Sequence, residues 1–127
     1  MASLIALVDD LMFLSRVREA ARGADLEVRV ARKTADVLEA ARAGASLLVV
    51  DLDSRRLPWG EAVTSLRSDP SLGSLPVVGF LSHVNAEAAQ AARAAGCTRV
   101  LARSAFVQEL PGILGAAARS PGSAEAK

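Results

Sequence analysis

The chain has 127 residues, with 15 Lys and Arg against 14 Asp and Glu for a net charge of +1, so no overall field draws it to nucleic acid or to an anionic membrane. That length suits one domain with a single core and is too short for a core plus a separate effector domain. A single cysteine, Cys97, excludes an intramolecular disulfide and a Cys-based zinc site. Hydrophobic residues make up 51% of the chain but aromatics only 3%, which predicts a core of Ala, Leu and Val in close helix-to-sheet packing.

Leu4 to Val8 is a short apolar run of the kind that forms a strand buried on both faces. It ends abruptly in Asp9-Asp10, too early for a signal peptide or a membrane span, which sets the expectation of a cytoplasmic protein. Phe13, Leu14, Val17, Ala20 and Ala21 then recur at helical spacing, with Gly23 as the expected C-terminal cap. Leu26, Val28 and Val30 alternate with Glu27 and Arg29 as in a strand with one more exposed face. Thr34 is the expected cap of a second helix carrying Val37, Leu38 and Ala41 and ending at Gly44.

Leu47 to Val50 repeats the first pattern and again runs into carboxylates, Asp51 and Asp53. A third helix around Glu61 to Leu66 is followed by a turn-rich loop from Asp69-Pro70 through Ser74. Leu75 to Leu81 reads as the fourth strand, with Pro76 at its start, where a missing N–H is tolerated. Asn85 is placed to cap an Ala-rich fourth helix ending at Gly96, and Thr98 to Ala102 form a fifth strand. Ser104 is the expected cap of a last helix through Leu114, interrupted or kinked near Pro111. The organisation is a domain over residues 1–118 and a tail over 119–127 whose Ser/Pro/Gly/Ala composition is that of disorder. Strand and helix signals alternate five times, which predicts an α/β fold with a parallel sheet covered on both sides.

In such a sheet, ligands sit at the carboxyl ends of the strands. Asp9, Asp10, Asp51 and Asp53 gathered at that edge would raise one another's pKa unless a cation relieves the crowding, and a hard divalent ion such as Mg²⁺ suits oxygen ligands. A purely structural role is the alternative: Asp9 or Asp10 capping the first helix, Asp51 and Asp53 capping a turn.

Three landmarks, Val8-Asp9-Asp10, Val50-Asp51-Leu52-Asp53, and Ala95-Gly96 seven residues before Arg103, together resemble the receiver domain of two-component response regulators, from Leu4 to about Leu114. The resemblance implies a flavodoxin-like (βα)5 doubly wound parallel five-stranded sheet in the order 2-1-3-4-5. It implies that Asp51 is the phosphoacceptor and that Mg²⁺ is held by Asp10 directly, by Asp9 through water, by Asp51 and by the backbone carbonyl of Asp53. A histidine kinase or phosphotransfer protein would be the partner, and self-catalysed phosphoryl transfer to Asp51 the only enzymatic step, with no independent substrate turnover. Receivers commonly pair through the face that is 85–114 here, where Ala88, Ala89, Ala91, Ala92, Ala94 and Ala95 would let a partner helix or a second copy approach closely.

Two positions depart from the receiver pattern. Where a Lys followed by Pro ends the fifth strand, this chain has Arg103-Ser104, and Arg is a planar fork rather than a compact point donor. Where Thr or Ser ends the fourth strand, the count falls on Leu81, with Ser82 one residue later. The fifth strand carries Arg99, Val100 and Leu101 in place of the usual aromatic, so the relay from hydroxyl to aromatic is expected to be absent or altered. Arg103 also has a structural reading, a fixed salt bridge to Asp51. His83, the only histidine, is a loop residue or else a proton donor or phosphate ligand at the acidic edge. Cys97 reads as a small strand-edge hydrophobe, Trp59 as packing under the loop after the third strand, and Arg55-Arg56 as a solvated loop.

Two functions follow. The first is a stand-alone receiver-like signalling protein phosphorylated on Asp51; the second is a pseudo-receiver whose pocket does not switch and which acts as an interaction or dimerisation module. A flavodoxin-like small-molecule binder is disfavoured, because Asp9-Asp10 stand where a phosphate loop would be needed and would repel the phosphate.

Overall fold

The computed structural model describes residues 2–82 and 86–119. In chain order the elements are β1 (Ser3–Leu7), α1 (Leu11–Gly23), β2 (Glu27–Val30), α2 (Thr34–Arg42), β3 (Leu48–Asp51), α3 (Trp59–Ser68), β4 (Val77–Leu81), α4 (Ala86–Ala95), β5 (Arg99–Ala102) and α5 (Arg103–Arg119). All strand pairs are parallel, in the order β2-β1-β3-β4-β5. The expected sheet and its order are therefore present.

Period-two alternation in the central strands divides the core into two layers. Ile5, Leu7, Leu48, Val50 and Val77 pack on one side with Val37, Ala40 and Ala41 of α2, Val63 and Leu66 of α3 and Ala92 of α4. Leu4, Ala6, Val49, Val78 and Phe80 pack on the other with Phe13, Leu14 and Val17 of α1 and Phe106, Leu110 and Leu114 of α5. Cys97 and the half-buried Trp59 join the first layer, as expected. Burial pushes the Cys97 thiol up to about 11, which keeps it protonated and inert at neutral pH.

Several helix ends differ from the sequence reading. Gly23 lies inside the last turn of α1, the cap is Ala24, and the left-handed residue is Asp25 at φ 58°, which a short polar side chain tolerates. Thr34 is the first helical residue of α2 rather than its cap. The Asp36 carboxylate accepts from the Lys33 and Arg32 amides, and the Thr34 hydroxyl donates to Glu61 instead. Ser104 lies in the first turn of α5, because that helix starts at Arg103 directly after β5 with no loop between them. Helix α5 continues through Pro111 to Arg119, five residues past the expected end. Gly44 and Gly96, at φ 104° and 124°, do terminate their helices.

In α4, Ala89 and Ala92 are buried against this domain's own core, so they are not available to a partner helix as the sequence reading had them. The proposed caps and loop roles of His83 and Asn85 and the tail beyond Arg119 lie outside the described residues. Among the described residues no helix is long and apolar enough to cross a membrane.

Candidate functional site

Parallel strands put their carboxyl ends on one edge. The register aligns Leu7 with Val50, Asp51 with Phe80 and Leu81 with Ala102. Asp9 and Asp10 after β1, Asp51 and Asp53 at and after β3, Ser82 after β4 and Arg103 after β5 therefore share that edge. Asp9, Asp10, Asp51 and Asp53, with Ser54, Arg55 and Arg56, line a shallow depression of ≈ 250 Å³.

Asp51 is its most enclosed member, 2% exposed. Its Oδ1 accepts the Asp53 amide at 3.0 Å, and the Asp9 amide also reaches the carboxylate. Burial nonetheless outweighs these bonds and the nearby Arg103 charge, and raises the Asp51 pKa above the ordinary carboxylate value. Because the folded state holds the Asp51 proton more tightly than the unfolded chain, ionisation costs native stability from the unfolded pKa of about 4 upward, and the loss is complete above the folded value. Asp51→Asn removes that cost. The variant is expected to be more stable than wild type at pH 7 by about 1 kcal/mol, the usual scale of such gains, with the difference vanishing as pH falls to about 4. Thermal melts across this range check it, and a variant less stable at pH 7 would show that the carboxylate is better compensated than its burial implies.

Asp10 has the opposite character. Its Oδ1 caps α1 by accepting from Met12 at 2.9 Å and Phe13 at 3.2 Å, and its Oδ2 accepts from Arg103 Nη1 at 3.0 Å. The Phe13 amide first, then the Arg103 bond, lower its pKa, so its contribution to stability is present above the unfolded value and lost as pH falls through the folded one. The capping alternative for Asp10 thus holds, and holds together with a place at the edge.

Arg103 does not bridge to Asp51. Its guanidinium pairs with Asp10 at 3.0 Å, with Asp53 at 3.6 Å, and lies over the Phe13 ring at 4.7 Å and the Phe80 ring at 5.4 Å. Those two rings and Phe106, all the phenylalanines of the chain, form one stack. The aromatic faces, joined to the Asp10 helix cap, draw the planar fork toward Asp10 and Asp53 rather than to Asp51.

Ser82, not Leu81, is the polar residue here. Leu81 is 4% exposed within β4, whereas the Ser82 hydroxyl and amide both donate to Asp53 Oδ2, at 2.5 and 2.8 Å. Neither Ser82 nor Arg103 hydrogen-bonds Asp51; both engage Asp53 or Asp10. The side chain of Asp53 is therefore as much a part of the edge as its backbone carbonyl.

The sequence reading missed the partners of Asp9. Its carboxylate accepts from Ser54 Oγ at 3.3 Å and faces Arg32 at 3.6 Å and the exposed Arg56 at 3.7 Å. Arg32 stands two residues past the end of β2, on the carboxyl edge that the strand assignment already implied. Arg55 and Arg56 are otherwise exposed to solvent, as expected.

Asp9, Asp10, Asp51 and the Asp53 carbonyl are the oxygen donors that a hard divalent cation takes. As arranged they do not fit a bound ion: both Asp10 oxygens are taken by N–H donors and Asp9 faces two guanidinium groups. Among the described residues no group of three His, Cys, Asp or Glu side chains is disposed to hold a metal.

No family model matches the sequence, and no curated protein matches it either. Solved structures do match. The chemotaxis response regulator CheY4 of Vibrio cholerae is similar at a TM-score of 0.75 and 20% identity, over 92% of this chain and 98% of that one. The phosphorylated cyanobacterial phytochrome response regulator RcpA is similar at 0.70 and 19%, over 91% and 89%. The Mn²⁺-bound form of response regulator Rcp1 is similar at 0.69 and 16%, over 91% of each chain. The fold of this chain is thus the receiver-domain fold of response regulators, and at these identities the likeness is one of fold.

Proposed function

We propose that this chain is a receiver-like signalling protein of a two-component phosphorelay, with Asp51 as the phosphoacceptor. One observation carries the reading: the enclosed carboxylate at the end of the central strand lines, with Asp9, Asp10 and Asp53, a depression on the carboxyl edge of the sheet. In the proposed step an Asp51 oxygen attacks the phosphorus of a donor, the donor's leaving group departs with the bonding pair, and an acyl phosphate forms. A histidine kinase or phosphotransfer protein would be the donor, in the cytoplasm. The Mg²⁺ that a receiver reading calls for does not fit Asp9 and Asp10 as they are paired here, so no part of the proposed step is assigned to it. An altered output belongs to this reading, because Ser82 and Arg103 make their bonds to Asp53 and Asp10.

A second reading is a phosphorylation-independent pseudo-receiver that binds a protein partner or a second copy through the 85–114 face. The Arg103–Asp10 pair favours it, since it gives the pocket a neutralising cation without any ligand.

Incubation with acetyl phosphate and Mg²⁺, followed by intact mass, tests the choice. Wild type is expected to gain one phosphoryl group and Asp51→Asn to gain none. A wild type that stays unmodified, with partner binding unchanged in Asp51→Asn, would replace the first reading with the second.

A further inference from the structure

We propose that Arg103 is the resident cation of the acidic edge and competes directly with a divalent metal ion for it. The inference rests on reading that edge as a cation site, and adds how the site is regulated. Four carboxylates meet three guanidinium groups there: Arg32 and Arg56 face Asp9, and Arg103 faces Asp10 and Asp53. Arg32 and Arg56 are 53% and 84% exposed and stand 3.6 and 3.7 Å away, so solvent screens them and a metal could share Asp9 with them at little cost. Arg103 is different. It is 30% exposed, alone of the three hydrogen-bonds a carboxylate of the edge, at 3.0 Å to Asp10, and lies over two aromatic faces.

A divalent ion needs a carboxylate oxygen at about 2 Å. On Asp10 the Oδ1 oxygen is committed to the α1 amides, which leaves Oδ2, the oxygen that Arg103 holds. Metal and guanidinium cannot both take that oxygen without placing two cations in contact. The pairing is also incomplete. Only Nη1 donates to Asp10, while the buried Nε–H, 3.6 Å from Asp53, has no hydrogen-bond partner among the described residues. Arg103 is the first residue of α5, and its guanidinium lies over Phe13 of α1 and Phe80 of β4.

The test is titration of the full chain with Mn²⁺ alone, free ion being counted by electron paramagnetic resonance. Arg103→Ala is expected to bind Mn²⁺ at least tenfold tighter than wild type, and Asp10→Asn added to it to abolish the gain. Arg103→Gln, which keeps the stem over the rings, gives the same comparison should the alanine variant fold poorly by circular dichroism. Equal affinity in wild type and both Arg103 variants, tight or undetectable, would overturn the proposal, as would a gain that survives Asp10→Asn. Phosphorylation is read separately: tighter Mn²⁺ binding without an acetyl phosphate adduct on Asp51 would leave the competition standing and remove the phosphoacceptor reading.

Discussion

Phe80→Ala is expected to lower the stability of the domain by about 4 kcal/mol, in the upper range for truncating a buried aromatic. Phe80 is fully buried in the central region of the sheet. Its ring stacks on Phe13 at 4.2 Å and on Phe106 at 5.0 Å, with interplanar angles of 28° and 24°. Truncation therefore removes the transfer energy of the ring, opens a cavity among three elements, and deletes two aromatic contacts worth about 1 kcal/mol each. It also takes away one of the two faces beneath Arg103. Against a total of about 5–15 kcal/mol for a domain of this kind, that loss is a large share. Urea denaturation measures it: the midpoint should fall steeply while the slope stays constant. A loss under about 1 kcal/mol would mean that the rings do not form a tight stack. Phe80→Leu, which keeps most of the volume, should cost about 1.5 kcal/mol or less.

This stack also explains why part of the site could be read from the sequence and part could not. The strands and the acidic edge were legible because their signal is local: Leu4 to Val8 and Leu47 to Val50 are apolar runs that end in acids, and parallel pairing must put both ends on one side of the sheet. A cation at the end of the fifth strand was legible for the same reason. Which acid it would meet was not. Arg103 goes to Asp10 because Phe13 of α1 and Phe80 of β4, residues far apart in sequence, offer it a surface beside that carboxylate. No pattern within one segment encodes that contact.

The Thr34 cap failed for a smaller-scale version of the same reason. Thr34 and Asp36 are both good capping types two residues apart; here the Thr34 hydroxyl is engaged by Glu61 of α3, and the Asp36 carboxylate reaches back to the Arg32 and Lys33 amides. Ser82 could be placed only after the register of β4 was known. Leu81 aligns with Ala102 and is buried, so the next residue carries the first side chain free to turn toward Asp53.

Arg67→Ala is the second large loss, expected at about 3 kcal/mol from the value of hydrogen bonds to a charged group. From α3, the Arg67 fork donates through Nε and Nη2 to the Gly96 carbonyl at 2.9 and 2.7 Å, and through Nη1 to the carbonyls of Gly73 and Leu75 at 2.8 Å each. One side chain thus ties the loop before β4 to the turn before β5, and so fixes the two strands that lead into Ser82 and Arg103. Lysine cannot reproduce the fork, so Arg67→Lys should lose about 2 kcal/mol of the same stability. Gly96 is bound to this arrangement twice over. Its φ of 124° strains any side chain, and a Cβ there would stand 2.6 Å from Arg67 Cγ. Gly96→Ala alone is therefore expected to cost about 2 kcal/mol, within the range for strained backbone positions. Combined with Arg67→Ala it should cost less than the sum, by about 1 kcal/mol, because the clash is relieved while the backbone strain stays. Chemical denaturation of the two single variants and the double variant measures this coupling. Strict additivity would mean that the turn moves away from Arg67 instead of pressing against it, and the Arg67 bonds to Gly96 would then contribute little to holding Arg103 at the acidic edge.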